Sequence, residues 1–200
     1  IIFGTTFGYL DAMAEMAEEY PDVIFLHCSG YLKNDTNFGN YFGKMYQPRY
    51  LSGLAAGAMT ESNKIGYVAA FPIPEVIRGI NAFATGVKEV NPDATVEVVW
   101  TFTWFGPEAE TQAANALLET GVDVLAQHQD SPSTGIAAEA AGAKWISYNT
   151  AYGQDAAPGA FVTAPVWDWG PYYVEVVESI VNDEFVAEAY WGGMDTGCLL

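Results

Sequence analysis

Positive charge is scarce in this sequence: 7 Lys and Arg stand against 25 Asp and Glu in 200 residues, for a net charge of −18. A surface of that sign repels phosphate backbones and anionic lipid, which argues against nucleic acid or an acidic membrane as a partner. Its simplest account is a solvated acidic exterior, suited to solubility or to a salty habitat. Histidine is limited to His27 and His128, and cysteine to Cys28 and Cys198. So few thiols and imidazoles make neither a disulfide framework nor a Cys/His metal cluster, and no metal or cofactor is expected. No apolar run approaches the roughly 18 residues that span a bilayer. The sequence also lacks a Gly-x-Ser-x-Gly elbow, a Walker-type phosphate loop and a Gly-x-Gly-x-x-Gly fingerprint.

Apolar residues make up 50% of the chain and aromatic residues 14%, with a mean hydropathy of +0.09, enough to bury a substantial core. The opening Ile1-Ile2-Phe3-Gly4 has neither an initiator Met nor a basic stretch. It reads as a buried strand, so the chain is expected to begin inside a domain.

Strands and helices alternate along the chain. Strands are expected at 1–6, 23–28, 65–70, 95–103, 122–127, 144–149 and 161–166, where short apolar runs end in turn residues. Helices are expected after Asp11, from about Phe42 to past Leu54, and at 75–89, 107–120, 134–141 and 172–181. The polar stretch 33–40 reads as a loop. Such alternation implies parallel, doubly wound α/β sheets. With only two strands before Asn63 and at least four after it, we expect two lobes: 1–62 as the remainder of a first lobe, 63–164 as a second, and 165–200 as a crossover with a helix returning to the first.

Ligands of open α/β sheets sit beyond the carboxyl ends of the strands. There the sequence places Phe7-Gly8-Tyr9, Phe71-Pro72-Ile73-Pro74-Glu75, Trp104-Phe105-Gly106, Gln127-His128-Gln129-Asp130, Tyr148-Asn149-Thr150 and Trp167-Asp168-Trp169. Rings stack on a planar heterocycle while Asn, Gln and Asp bond its edge. Each residue also has a structural reading. Trp104 can cap the core, and Trp167 and Trp169, two apart, can share one face of a strand. His128 can be a hydrogen-bonded core histidine, and Asp130 a turn or cap residue.

Longer runs carry a family resemblance: Ile2-Phe3-Gly4-Thr5-Thr6-Phe7-Gly8-Tyr9, Tyr46-Gln47-Pro48-Arg49-Tyr50-Leu51, Lys64 through Val76, Gln127 through Pro132, Trp167 through Tyr173, and Tyr190-Trp191-Gly192-Gly193-Met194. These resemble the basic membrane protein family of substrate-binding lipoproteins, which serve ABC importers and include purine-nucleoside receptors. The resemblance implies a type I periplasmic binding fold, two Rossmann-like lobes around a ligand cleft, here without the N-terminal part of the first lobe. It also implies passive capture of a purine without catalysis, ABC permease subunits as partners, and a monomeric lipoprotein at the periplasmic or extracellular face of the cell membrane. Any membrane anchor would be a lipid outside this chain.

By position, the resemblance matches Phe7 and Trp104 to the rings that sandwich the purine. Asn149 stands where those receptors keep an Asp that grips ribose, and Trp167 where they keep a Lys. The expected ligand is therefore an adenine-like base before a nucleoside. The expected contacts are Phe7, Gly8, Trp104, Gln129, Asp130, Asn149, Trp167 and Trp169. Two other readings remain open: the sensing module of a signalling system, and a nucleoside-processing enzyme that would need Asp130 or His128 as acid or base.

Overall fold

The computed structural model describes residues 1–149 and 151–200; Thr150, in one of the strand-end groups, lies outside the described residues. The chain divides into two compact units, residues 1–44 with 168–199, and residues 45–167 with Leu200.

The first unit holds a parallel four-stranded sheet in the order β1-β2-β3-β9. Its strands are β1 (Ile2–Gly4), β2 (Phe25–Cys28), β3 (Phe38–Gly43) and β9 (Ala189–Gly192). One cluster on the sheet joins Leu10, Met13 and Ala17 of α1 (Leu10–Glu19) to Phe25 and Phe38. Another joins Leu26 and Tyr41 to Tyr172 and Val176 of α7 (Gly170–Val181).

Two of these strands depart from expectation. β3 occupies part of the stretch read as a polar loop and takes Phe42 from the expected helix. Its sequence, Phe-Gly-Asn-Tyr-Phe-Gly, carries the Gly and Asn of a turn. Pairing with β2 on one side and β9 on the other nevertheless buries five of its six residues. β9 follows the last expected helix and is recognisable only through its partner β3.

The second unit is a parallel five-stranded sheet in the order β5-β4-β6-β7-β8. Its strands are β4 (Lys64–Ala69), β5 (Thr95–Trp100), β6 (Val124–Gln127), β7 (Lys144–Ile146) and β8 (Phe161–Thr163). The helices are α2 (Tyr46–Met59), α3 (Pro74–Val90), α4 (Pro107–Glu119), α5 (Ser133–Ala140) and the short α6 (Gly153–Ala156). Proline opens α3 and α4 at the position where its missing N–H costs nothing. Val76, Ile80, Phe83 and Val87 then recur on one face of α3 and pack on Tyr67, Val124 and Ile146 of the sheet. Burying Phe83 completely is worth about 1.5–3 kcal/mol relative to leaving it exposed. A second cluster, on Leu117, Leu125, Ala138 and Trp145, joins α4 and α5 to the sheet.

The boundary between the units lies at Lys44/Met45, not at 62/63, because α2 packs on α3. Glycines permit that approach. A Cβ on Gly53 would stand 2.1 Å from the Phe83 carbonyl oxygen, and one on Gly86 would stand 2.1 Å from that of Tyr50. The return of the chain to the first unit at Asp168 lies within a few residues of the expected crossover. No helix among the described residues is long and apolar enough to cross a membrane. No disulfide joins Cys28 to Cys198.

Candidate ligand-binding site

All five strands of the second unit run parallel, so their carboxyl ends share one edge. The loops leaving that edge are tied together by side chains of Gln127, Asp130, Asn149 and Glu110.

Gln127, at the end of β6, is buried. Its Nε2 donates to the carbonyls of Gln129 (2.9 Å) and Ser131 (2.7 Å), while its Oε1 accepts from Trp145 Nε1 at 3.0 Å. This one amide shapes the turn that presents residues 128–131. Within the turn, the Asp130 N–H bonds the Trp104 carbonyl at 3.0 Å and draws the β5 loop alongside. Asn149 Nδ2 donates to Asp130 Oδ1, and Asn149 Oδ1 accepts from Trp167 Nε1 at 2.9 Å. Trp104, Asp130, Asn149 and Trp167 thus form one connected group.

Two residues here adopt left-handed backbone conformations, Asn149 at φ 65° and Phe102 at φ 55°. Asparagine tolerates that region; phenylalanine does so at a cost of order 1–3 kcal/mol. The Trp104 ring packs 5.1 Å from Phe71 and 5.9 Å from His128, centroid to centroid. Phe102 and Phe105 on either side of it are more than 60% exposed.

Glu110 of α4 is fully buried. Its Oε1 accepts from the Gly106 N–H at 2.8 Å and its Oε2 from the Ser131 hydroxyl, so it clamps the β5 and β6 loops together.

Beneath the rim lies a fully buried cation, Arg49 of α2. Its guanidinium donates to the Gln127 carbonyl at 2.9 Å, sits 4.0 Å over the Tyr148 ring centre, and approaches His128 Nδ1 at 3.3 Å. With Nδ1 accepting from the guanidinium, the imidazole proton belongs on Nε2, which faces Glu75 Oε1 at 3.4 Å. Burial holds the His128 imidazole below its ordinary pKa, and the neighbouring Arg49 charge acts in the same direction, while Glu75 opposes them. Lost hydration raises the Asp130 carboxyl above the usual carboxylate range, and the Asn149 hydrogen bond works against that shift.

The expected contact residues are distributed unevenly. Trp104, Asp130, Asn149 and Trp167 come together. Gln129 is on the same turn but is fully buried; its Nε2 bonds Thr101 Oγ1 at 2.8 Å and its Oε1 accepts from the His128 N–H at 3.2 Å. That amide organises the turn and has no surface to offer. Phe7 and Gly8 belong to the first unit, in the 3-10 turn Phe7–Tyr9 after β1, and both are exposed.

Trp169 also belongs to the first unit. Its ring meets Tyr41 edge-on at 4.9 Å, within the aromatic cluster on α7. Trp167 and Trp169 therefore do not share a strand face: Trp169 is the residue that caps α7. The sequence does not single out Glu110; Gln127 enters there only as a member of a strand-end group, and Arg49 only within a run of the family resemblance. A lone arginine between apolar neighbours on α2 is the one available signal for Arg49. Among the described residues no group of His, Cys, Asp and Glu is arranged to hold a metal.

The sequence profile of PnrA-like ABC transporter substrate-binding proteins (Bmp) matches residues 1–200. A putative ABC transporter glucose-binding protein of Haloferax volcanii is 50% identical over 98% of this chain and 50% of its own length. A purine-binding protein of Brucella abortus is 38% identical over 98% of this chain and 56% of its own length. The chain thus spans about half the length of these curated relatives.

Among solved structures, a transcriptional activator of the comK gene from Bacillus halodurans superposes with a TM-score of 0.87 at 22% identity, over all of this chain and 69% of that one. An ABC transporter solute-binding protein from Conexibacter woesei gives 0.78 at 22% identity, over 99% and 67%. At such identity these two likenesses establish the α/β fold.

Proposed function

The chain belongs to the PnrA-like family of ABC transporter substrate-binding proteins, and from that premise we propose that its full-length protein captures a purine, an adenine-like base before a nucleoside, and delivers it unchanged to an ABC permease. The observation that carries this reading is the connected group of Trp104, Asp130, Asn149 and Trp167. It offers a flat ring beside a carboxylate–carboxamide pair, which suits a planar ligand with hydrogen-bonding atoms along its edge. The Asn149 carboxamide bonds Asp130 and Trp167, and no exposed cation is part of the group, so it has nothing to attract a phosphate. The purine-binding relative from Brucella supports the same ligand class.

Capture without chemistry is supported by the state of His128. The imidazole is 2% exposed, engaged by Arg49 and held neutral, so it is poorly placed to exchange protons with a substrate. Placement outside the cytoplasm, a lipid anchor beyond these residues and a monomeric state are part of the same proposal.

A hexose is the second reading. The Haloferax relative is named for glucose, and a sugar can also stack on Trp104 while Asp130 and Asn149 take its hydroxyls. Calorimetric titration of the complete protein with adenine, adenosine and glucose separates the two. Adenine is expected to bind tightest. Tighter binding of adenosine would overturn the preference for the base, and tighter binding of glucose would overturn the purine reading.

A further inference from the structure

We propose that the first unit carries a second binding site, for a small organic cation bearing a guanidinium or alkylammonium group, in the recess between α7 and β9. The recess has a volume of about 290 Å³ and is bordered by the rings of Tyr172, Tyr190 and Phe185 and the carboxylates of Glu175, Glu184 and Glu188. That volume lies at the lower end of the range for small-molecule sites, enough for one short cationic group. Three carboxylates around three rings are the chemistry of cation recognition: the ring faces attract the charge and the carboxylates accept its N–H bonds. No Lys or Arg borders the recess among the described residues, so these carboxylates have no cation of their own there.

Carboxylates alone describe only a solvated acidic face. Tyr172 makes this recess different. It is 6% exposed, and its hydroxyl has no hydrogen-bond partner among the described residues. The neighbouring hydroxyls are all engaged. Tyr41 and Tyr173 bond each other at 2.9 Å, and Tyr190 is bonded by Thr196. Its oxygen is not shut off from the surface, so whatever fills the recess can take its hydrogen bond. Here it lines the recess, with its ring 4.3 Å from that of Tyr190. Burial first, then Tyr190 and Glu188, push the Tyr172 phenol upward, so it stays neutral and presents its oxygen as an acceptor. An anion would meet three negative charges at the same place.

The test is a titration of the complete protein, labelled with 3-fluorotyrosine, with butylguanidinium at low ionic strength. Fluorine resonances of Tyr172 and Tyr190, assigned by single Phe variants, are expected to shift saturably in the millimolar range. Butylurea, the neutral counterpart of similar shape, is expected to bind about tenfold more weakly or worse. The double variant Glu175→Gln/Glu188→Gln is expected to lose about tenfold in affinity for butylguanidinium. A titration that does not saturate, an equal response to butylurea, or an unchanged affinity in the double variant would each overturn the proposal. Should the double variant fold poorly, the comparison of the two probes on the unaltered protein decides the matter.

Discussion

The guanidinium of Arg49 lies 4.0 Å over the ring of Tyr148, and both side chains are buried beneath the strand ends of the second unit. No carboxylate lies within ion-pair distance of that guanidinium among the described residues. Its charge is answered by the Gln127 carbonyl, the His128 ring nitrogen and the aromatic face.

Replacing Arg49 should therefore cost more than a packing defect. Arg49→Met leaves the Gln127 carbonyl and His128 Nδ1 with one partner fewer, a loss of about 2–4 kcal/mol. Arg49→Lys should be at least as damaging, since an ammonium is more strongly hydrated and cannot reproduce the planar fork stacked on Tyr148. Urea unfolding of both variants checks this order.

His128 should make stability fall with acid. In the unfolded chain it takes a proton at about pH 6.5, whereas burial holds the folded imidazole below that value. Between the two pKa values the unfolded state binds more protons, so stability decreases as pH falls through about 6.5 toward the folded value. His27, also lowered by burial, contributes with the same sign. Asp130, raised in the fold, acts oppositely as pH falls from its folded value toward the usual carboxylate range. Urea midpoints measured from pH 7.5 to 5 should fall, and His128→Gln should flatten that slope.

Two glycines should respond to alanine with opposite signs. In Gly53→Ala the new methyl meets the Phe83 carbonyl oxygen at 2.1 Å and forces α2 from α3, a cost of about 1–3 kcal/mol. In Gly79→Ala its nearest neighbours are Arg49 side-chain atoms at 3.7 and 3.8 Å, ordinary contact distances. There the gain in helix propensity should stabilise by about 0.5–1 kcal/mol. Thermal unfolding should show one Tm fall and the other rise.

Glu110 and Ser131 should behave as a coupled pair. Glu110→Gln turns an amide donor toward groups that themselves donate, and Ser131→Ala leaves a buried carboxylate oxygen short of a partner. Each is expected to cost about 1–3 kcal/mol. The double variant should fall short of the sum by about 0.5–3 kcal/mol in a double-mutant cycle, and strict additivity would mean that the two do not interact.

Much of the architecture was legible because local signals agreed with the final packing. Pro74 and Pro107 open their helices, and the apolar stripe of α3 repeats at helical spacing. β3 and β9 were hidden because neither looks like a strand by itself. The glycines and asparagine of β3 read as a turn, and its extended form is stabilised by neighbours from distant parts of the chain. The limit of the first unit was hidden for a related reason: α2 follows β3 in sequence but packs on α3.

At the candidate site, the sequence alone determined that Trp104, Gln129, Asp130, Asn149 and Trp167 follow strand ends, because parallel β-α alternation puts those positions on one edge. Only the tertiary structure decided which of them present a side chain there. Gln129 and Asp130 are adjacent, yet one is fully buried with its amide committed and the other is exposed and bonded to Asn149. The difference arises from partners far away in sequence, Thr101 and Asn149, and from the left-handed backbone at Asn149. Residue type limits which bonds a side chain can make; the partners within reach and the water excluded around it determine which ones form.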